Sequence, residues 1–217
     1  MGLSSGAYGA IGVKRELDRP PTESELHAVS VQEIELRWRT RSAGEIFPAT
    51  VDYGSGRTKE LAVRVGIAPQ ASCTKALDAV IAKVAVADGC RAVLRATYLD
   101  KTQTLVTTVG VAVFPDETSV WKVSRVVWGN SASRGVRAVA FPGTLSARFR
   151  DAARQRFFMT NYANYLIFVS GGYADGRPKA KLDRPQLFMF GDQIAAQVGG
   201  RLQTYVDPCT VKGVVTC

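Results

Sequence analysis

The stretch "SCTKALDAVIAKVAVADGC", residues 72–90, has a cysteine near its start and another at its end, with apolar residues at helical spacing between them; no other feature restricts the fold as tightly. The chain has four cysteines, Cys73, Cys90, Cys209 and Cys217, with sixteen residues between the first two and seven between the last two. Neither gap is the close pair by which one turn presents two thiolates to zinc, and His27 is the single histidine available for a mixed set, so no metal and no cofactor is expected. Two local disulfides, Cys73 with Cys90 and Cys209 with Cys217, are the expected state and belong to an oxidising compartment; buried free thiols are the cytosolic alternative. Geometry sets a condition on the first pair. A straight helix of that length holds its ends roughly 20 Å apart, whereas a disulfide tolerates about 4.4–6.8 Å between Cα atoms. The bridge therefore requires a shorter helix or a chain that folds back, and cross-pairing with Cys209 and Cys217 stays open. In "DPCTVKGVVTC", Pro208 and Gly213 allow the last pair to close a short loop.

Around that stretch the pattern alternates between helical and extended periods. Pro20 and Pro21, with Thr22 or Ser24 as cap, start a helix that carries Leu26, Val29, Ile34 and Trp38 on one face and ends near Ala43-Gly44. "EIFPATVDYGSG" and "RTKELAVRVGIAP" read as a hairpin. The 72–88 helix places Leu77, Val80, Ile81, Val84 and Ala85 on its apolar face. "CRAVLRATYLDKTQTLVTTVGVAVFPDE" is the clearest hairpin, turning at Asp100-Lys101-Thr102, after which Asp116 caps a helix through Trp121 and Val127. "GVRAVAFPGT" reads as a strand and 146–156 as helix or polar loop. Residues 157–173 read as extended, with a turn at Asp175-Gly176, and a last helix carries Ile194, Val198 and Leu202. Helices following hairpins in two rounds predict an α+β fold: antiparallel sheet with helices on one face, with 22–130 and 131–217 as candidate ferredoxin-like helix/hairpin units that would share one core or pack sheet to sheet. Residues 1–21 are expected to be a flexible, juxtamembrane lead segment and 22–217 a single domain.

A chain of 217 residues at 46% hydrophobic content can build such a core. The net charge of +9, from 28 Lys and Arg against 19 Asp and Glu, favours anionic partners. With one histidine, on a polar helix, catalytic triads are excluded. Neither a GxxxxGK[ST] nor a GxGxxG phosphate loop occurs. Asp175, Asp183 and Asp192 flank the last strand and helix without any spacing that gathers them, and Asp192 suits a helix start. The basic residues are more suggestive. Arg134, Arg137, Arg148, Arg150, Arg154 and Arg156, interleaved with Phe149, Phe157 and Phe158, are candidates for an anion-binding groove that could stack bases; a solvated surface with inward aromatics is the plainer reading. "RWRTR" at 37–41 has the same ambiguity, and beside a membrane its charge would meet anionic headgroups.

The segments "GEIFPATV", "GIAPQASCTKALD", "GCRAVLRATYLD", "GVRAVAFPGT" and "GGYADGRP", spread over about residues 44–178, resemble a group of actinobacterial predicted membrane proteins with one transmembrane segment and an exported domain. The two cysteine pairs, the antiparallel pattern and the last helix "FGDQIAAQVGGRL" look like exported sensor domains of mycobacterial receptor kinases and related lipoproteins, in architecture only. The resemblance implies compartment and topology and carries no binding residue across. The expectation is a non-enzymatic extracytoplasmic domain of a membrane-anchored envelope protein, anchored through a segment outside this chain. As a sensor or assembly module it would bind an anionic envelope component or a partner protein. The alternative is a nucleic-acid-binding protein using the arginine and aromatic surface.

Overall fold

The β-branched runs on either side of Asp100 pair as strands β3 (Ala92–Leu99) and β4 (Leu105–Val113), at the centre of a six-stranded antiparallel sheet. The sheet continues through β1 (Thr50–Ser55) and β2 (Thr58–Ala71) on one side and through β6 (Tyr165–Tyr173) and β5 (Arg154–Tyr162) on the other, in the order β1-β2-β3-β4-β6-β5. Because β4 and β5 both run antiparallel to the β6 between them, they are parallel to each other, and the chain joining them must cross a sheet face. This is the split βαβ arrangement of a ferredoxin-like unit. The computed structural model describes residues 19–55, 58–129, 135–178 and 189–211; most of the expected lead segment, Arg134, Asp183 and Cys217 lie outside them. The chain divides into two compact units, Met1–Ile34 with Tyr205–Cys217, and Glu35–Thr204.

The helices are α1 (Glu23–Thr40), α2 (Ala43–Ile46), α3 (Cys73–Ala76), α4 (Ala79–Ala87), α5 (Glu117–Gly129) and α6 (Met189–Gln203). They occupy both sheet faces, where the sequence pattern had suggested one. Register places Val93, Ala112 and Leu166 side by side on the front face, and these pack with Ile81, Ala85, Val120 and Val123 of α4 and α5 in one core shared by both helix/hairpin units. On the back face α6 lies close to the sheet. A Cβ at Gly191 would stand 2.8 Å from both Thr107 Oγ1 and Val169 Cγ1, so glycine sets that approach. With layers on both sides, β4 is buried along all nine residues.

Cys73 and Cys90 form a disulfide with their Cα atoms 6.4 Å apart, and Cys73 is buried. The helix between them is broken. Leu77 and Asp78 take extended conformations, with ψ of 156° and 147°, so the stretch consists of α3, a two-residue step and α4. The step pairs with another segment of the chain: Asp78 N–H donates to Gly135 O, Arg137 N–H donates to Ala76 O, and Leu77 and Val136 form an antiparallel bridge. It also resets the helical phase. Ile81, Ala82 and Ala85 face the core, and Val80, expected on the apolar face, is 49% exposed. Cys209 is likewise in a disulfide.

"RWRTR" turns inward. Arg37 is fully buried, and its Nη1 donates to the carbonyls of Leu202 (3.0 Å) and Thr204 (2.7 Å), while Arg41 donates to Arg201 O (2.8 Å). Two cations thus satisfy terminal carbonyls of α6, where the helix dipole also favours positive charge. Trp38 is buried, with the Arg39 guanidinium 4.5 Å from its ring centre.

The expected strand 135–144 is instead a crossing segment over the front face. Its backbone groups bond to side chains: Val139 N–H donates to Thr108 Oγ1 (3.0 Å), Thr97 Oγ1 donates to Val139 O (2.8 Å), and Ser170 Oγ donates to Val136 O (2.5 Å). Thr97, Thr108 and Ser170 are neighbours in register and fully buried, a row of hydroxyls that replaces the missing ladder partner.

Replacing Cys73 and Cys90 together by alanine is expected to lower stability to urea by about 3 kcal/mol, the value of a loop of this size. An unchanged unfolding midpoint would show that the bridge contributes nothing.

Candidate ligand groove

Strand β2 runs for 14 residues beside a β1 of 6 and a β3 of 8. Its ladder with β3 ends at the pair Val63 and Leu99, while its ladder with β1 continues to Thr58 and Ser55. The β1–β2 hairpin therefore overhangs the sheet. Among the described residues no helix covers the front face here: Leu61 is 41% and Val63 46% exposed, and Leu145, on the loop that faces them, is 55% exposed. Leu61 and Val63, together with Val65 and Leu99, form the floor of an open groove of about 700 Å³. Lys59, Glu60, Asp52 and Lys101 stand along its rim. At Gln103, Thr144 and Leu145 the groove meets a second hollow of about 450 Å³, lined by Arg148, Asp175 and Arg177.

The rim is held by hydrogen bonds. Asp100, 5% exposed, accepts from Leu105 N–H (2.7 Å) and from the backbone and hydroxyl of Thr102, so its carboxylate serves the β3–β4 turn. Tyr53 joins that turn to the overhang: its hydroxyl donates to Glu60 (2.7 Å) and accepts from Lys101 N–H (3.3 Å). Burial first, and then the bond to Glu60, push the phenol from 10.0 up to about 12. The far wall is set by two 3₁₀ turns, Leu145–Arg148 and Asp151–Ala153, with Phe149 buried beneath. At that end Arg177 bonds Asp175 (2.5 Å) and lies over the Tyr173 ring, and its guanidinium holds the Asp175 carboxyl below the usual carboxylate value. Two guanidiniums, of Arg148 and Arg177, thus face one carboxylate.

The structure disperses the arginines picked out from the sequence. Arg154 is 4% exposed and forms the tie between the crossing segment and α4: Nη1 and Nη2 grip the Asp78 carboxylate (2.9 and 2.8 Å), Nη1 also donates to Val136 O (2.9 Å), and Nε lies 3.1 Å from Asp151 Oδ1. Asp78 occupies the N-cap of α4, yet its side chain makes no capping bond because it is committed to Arg154. Arg156 bonds Asp192 in the first turn of α6 (2.7 Å); burial raises that carboxyl, and Arg156 works against the rise. Arg137 Nε donates to Leu77 O (3.1 Å), Arg150 is exposed, and Arg148 alone of the five lines the hollow that meets the groove. Phe149 is buried and so unavailable for stacking on bases. Arg95, not singled out by sequence, sits near Asp151 and Arg137, and burial lowers its guanidinium from the ordinary value.

Asp175 and Asp192, two of the flanking carboxylates, each pair with an arginine of their own. His27 is exposed on α1. Among the described residues no group of His, Cys, Asp and Glu side chains could hold a metal ion, and no helix is long and apolar enough to cross a membrane. No family model, curated protein or solved structure matches the chain.

Truncating Arg154 to alanine leaves Asp78 without its guanidinium and is expected to cost about 3 kcal/mol in a denaturant titration, against a near-neutral effect for the exposed Arg150→Ala. Equal effects would contradict the assigned roles. For Tyr53 the folded value is raised, so the associated stability is whole below about pH 10 and is lost as pH rises through about 12. Between those limits the wild type should lose stability more steeply than Tyr53→Phe, Tyr98 being common to both; parallel curves would refute the rise that burial and the bond to Glu60 impose on the phenol.

Proposed function

We propose that this chain is a non-catalytic, extracytoplasmic binding module at the cell membrane, whose groove takes an amphiphile with an apolar body and an anionic end. The observation that carries this reading is the groove itself: an aliphatic floor of Leu61, Val63, Val65 and Leu99 leading to a hollow with two arginines and one aspartate. Apolar surface left open at this size is where a ligand replaces water at a gain proportional to the area covered. The arginines fix which end of the ligand lies where. The buried Cys73–Cys90 bridge supports an oxidising compartment. The overall charge of +9 suits anionic envelope components.

Laurate and lauryl alcohol, titrated below their aggregation limits by calorimetry, separate the two halves of the reading. Laurate should bind more tightly than the alcohol; Arg148→Glu should weaken laurate about tenfold, the value of a charge-assisted contact, and leave the alcohol unchanged. Val63→Asp should weaken both. Failure of both compounds to bind, or indifference to Arg148→Glu, would reject the assignment.

A further inference from the structure

We infer that the outer face of α4 and α5 is a docking surface for an anionic lipid bilayer, separate from the groove. The helix α5 has the sequence "ETSVWKVSRVVWG". Val120, Val123 and Ser124 point into the core, while Trp121 is 52%, Val126 46% and Trp128 76% exposed. Trp121, Arg125 and Trp128 recur at four- and three-residue spacing and form one stripe, with Lys122 and Val126 beside it. Tryptophan is ordinarily well buried, and two exposed on one helix need an environment that takes an apolar ring and still leaves its N–H a polar partner. The boundary between acyl chains and headgroups is such an environment.

The neighbouring helix extends the same surface. α4 packs alongside α5 in the layer over the front face, and its outward residues are Val80 and Val86, each 49% exposed, with the exposed Lys83 between them. Val80 faces out because the Leu77–Asp78 step shifted the phase of the helix. The patch thus carries four large apolar side chains and Val126, interleaved with Lys83, Lys122 and Arg125. The acids near it stand at the helix ends: Glu117, which accepts from Trp121 Nε1 (3.3 Å), Asp116, whose carboxyl feels the charge of Lys122, and Asp88 at the C-cap of α4. That composition, aromatic and aliphatic residues among cations, matches a helix face resting shallowly in an anionic headgroup layer. A second copy of this chain fits less well, since a two-fold contact would set the same three cations against themselves.

The test uses the full chain and sedimented vesicles, phosphatidylcholine with phosphatidylglycerol against phosphatidylcholine alone. The wild type should co-sediment with the anionic vesicles, less so as salt is added, with a blue shift of tryptophan emission to which the buried Trp38 adds a constant background. Lys122→Glu with Arg125→Glu should reduce partitioning about tenfold or more, because each cation near such a surface contributes appreciably. Trp128→Ser should weaken binding and diminish the shift. Val63→Asp, which disables the groove, should leave vesicle binding intact, so loss of either function is told apart from loss of the other. Absence of co-sedimentation, or binding unaffected by the charge reversals, would overturn the inference. A dimer in sedimentation equilibrium that Trp128→Ser dissociates, without vesicle binding, would overturn it in favour of a second copy.

Discussion

The contact between Arg154 and Asp78 organises the front of this molecule. One guanidinium, on the first residue of β5, reaches the N-cap of α4, the carbonyl of Val136 and the Asp151 carboxylate. By holding Asp78 in an extended conformation it fixes the point where α3 gives way to α4. That step lets the chain fold back far enough for Cys73 and Cys90 to meet, and it provides the backbone edge that seats residues 135–137. A neutral N-cap such as serine could start α4 with a capping bond that Asp78 does not make, but could not bind the crossing segment to the sheet. Removing either charge leaves the other in a largely dry setting, which makes the pair costly to break.

The crossing segment divides the front face into two regions. On one side α4 and α5 cover the sheet with an aliphatic core; on the other the overhanging β1–β2 hairpin keeps its aliphatic side chains open to the groove. Thr97, Thr108 and Ser170 make this division possible, because a chain lying across a sheet finds no free backbone partners and must bond to side chains. Replacing Thr97 and Thr108 with valines of similar shape would improve local hydrophobicity and strand the carbonyl and the N–H of Val139. The polar row therefore sets the path of the chain more than it adds stability.

Much of this was legible in the sequence where a residue's role is local. The hairpin around Asp100, the capping role of Thr22, whose hydroxyl and backbone both engage Glu25, and the helical period of Ile194, Val198 and Leu202 each follow from near neighbours. The cysteine spacing demanded a break in the 72–88 helix but could not place it, because the residues that impose it, Arg154 and 135–137, are far along the chain. "GVRAVAFPGT" has the composition of a strand; only the hydroxyl row, spread over three strands, shows that it crosses the sheet instead. The arginine cluster misled for a related reason. In β5, Arg154 and Arg156 stand on either side of a register shift and serve opposite faces, Arg154 the front and Arg156 the helix α6 behind. The groove left one trace, a β2 whose apolar alternation outlasts any partner strand of matching length.

A disulfide-closed helical step, an open aliphatic groove and a helix face with two exposed tryptophans are the features from which we propose a module of an oxidising, lipid-rich boundary. The claim on which the rest stands is that the Cys73–Cys90 bridge exists where the protein works. The direct measurement is to trap thiols with an alkylating agent in intact host cells, isolate the protein without reductant, and digest it for mass spectrometry. The account predicts a cross-linked peptide pair containing Cys73 and Cys90, neither of them alkylated. Both cysteines recovered in alkylated form, under denaturing conditions that expose the buried Cys73, would contradict it.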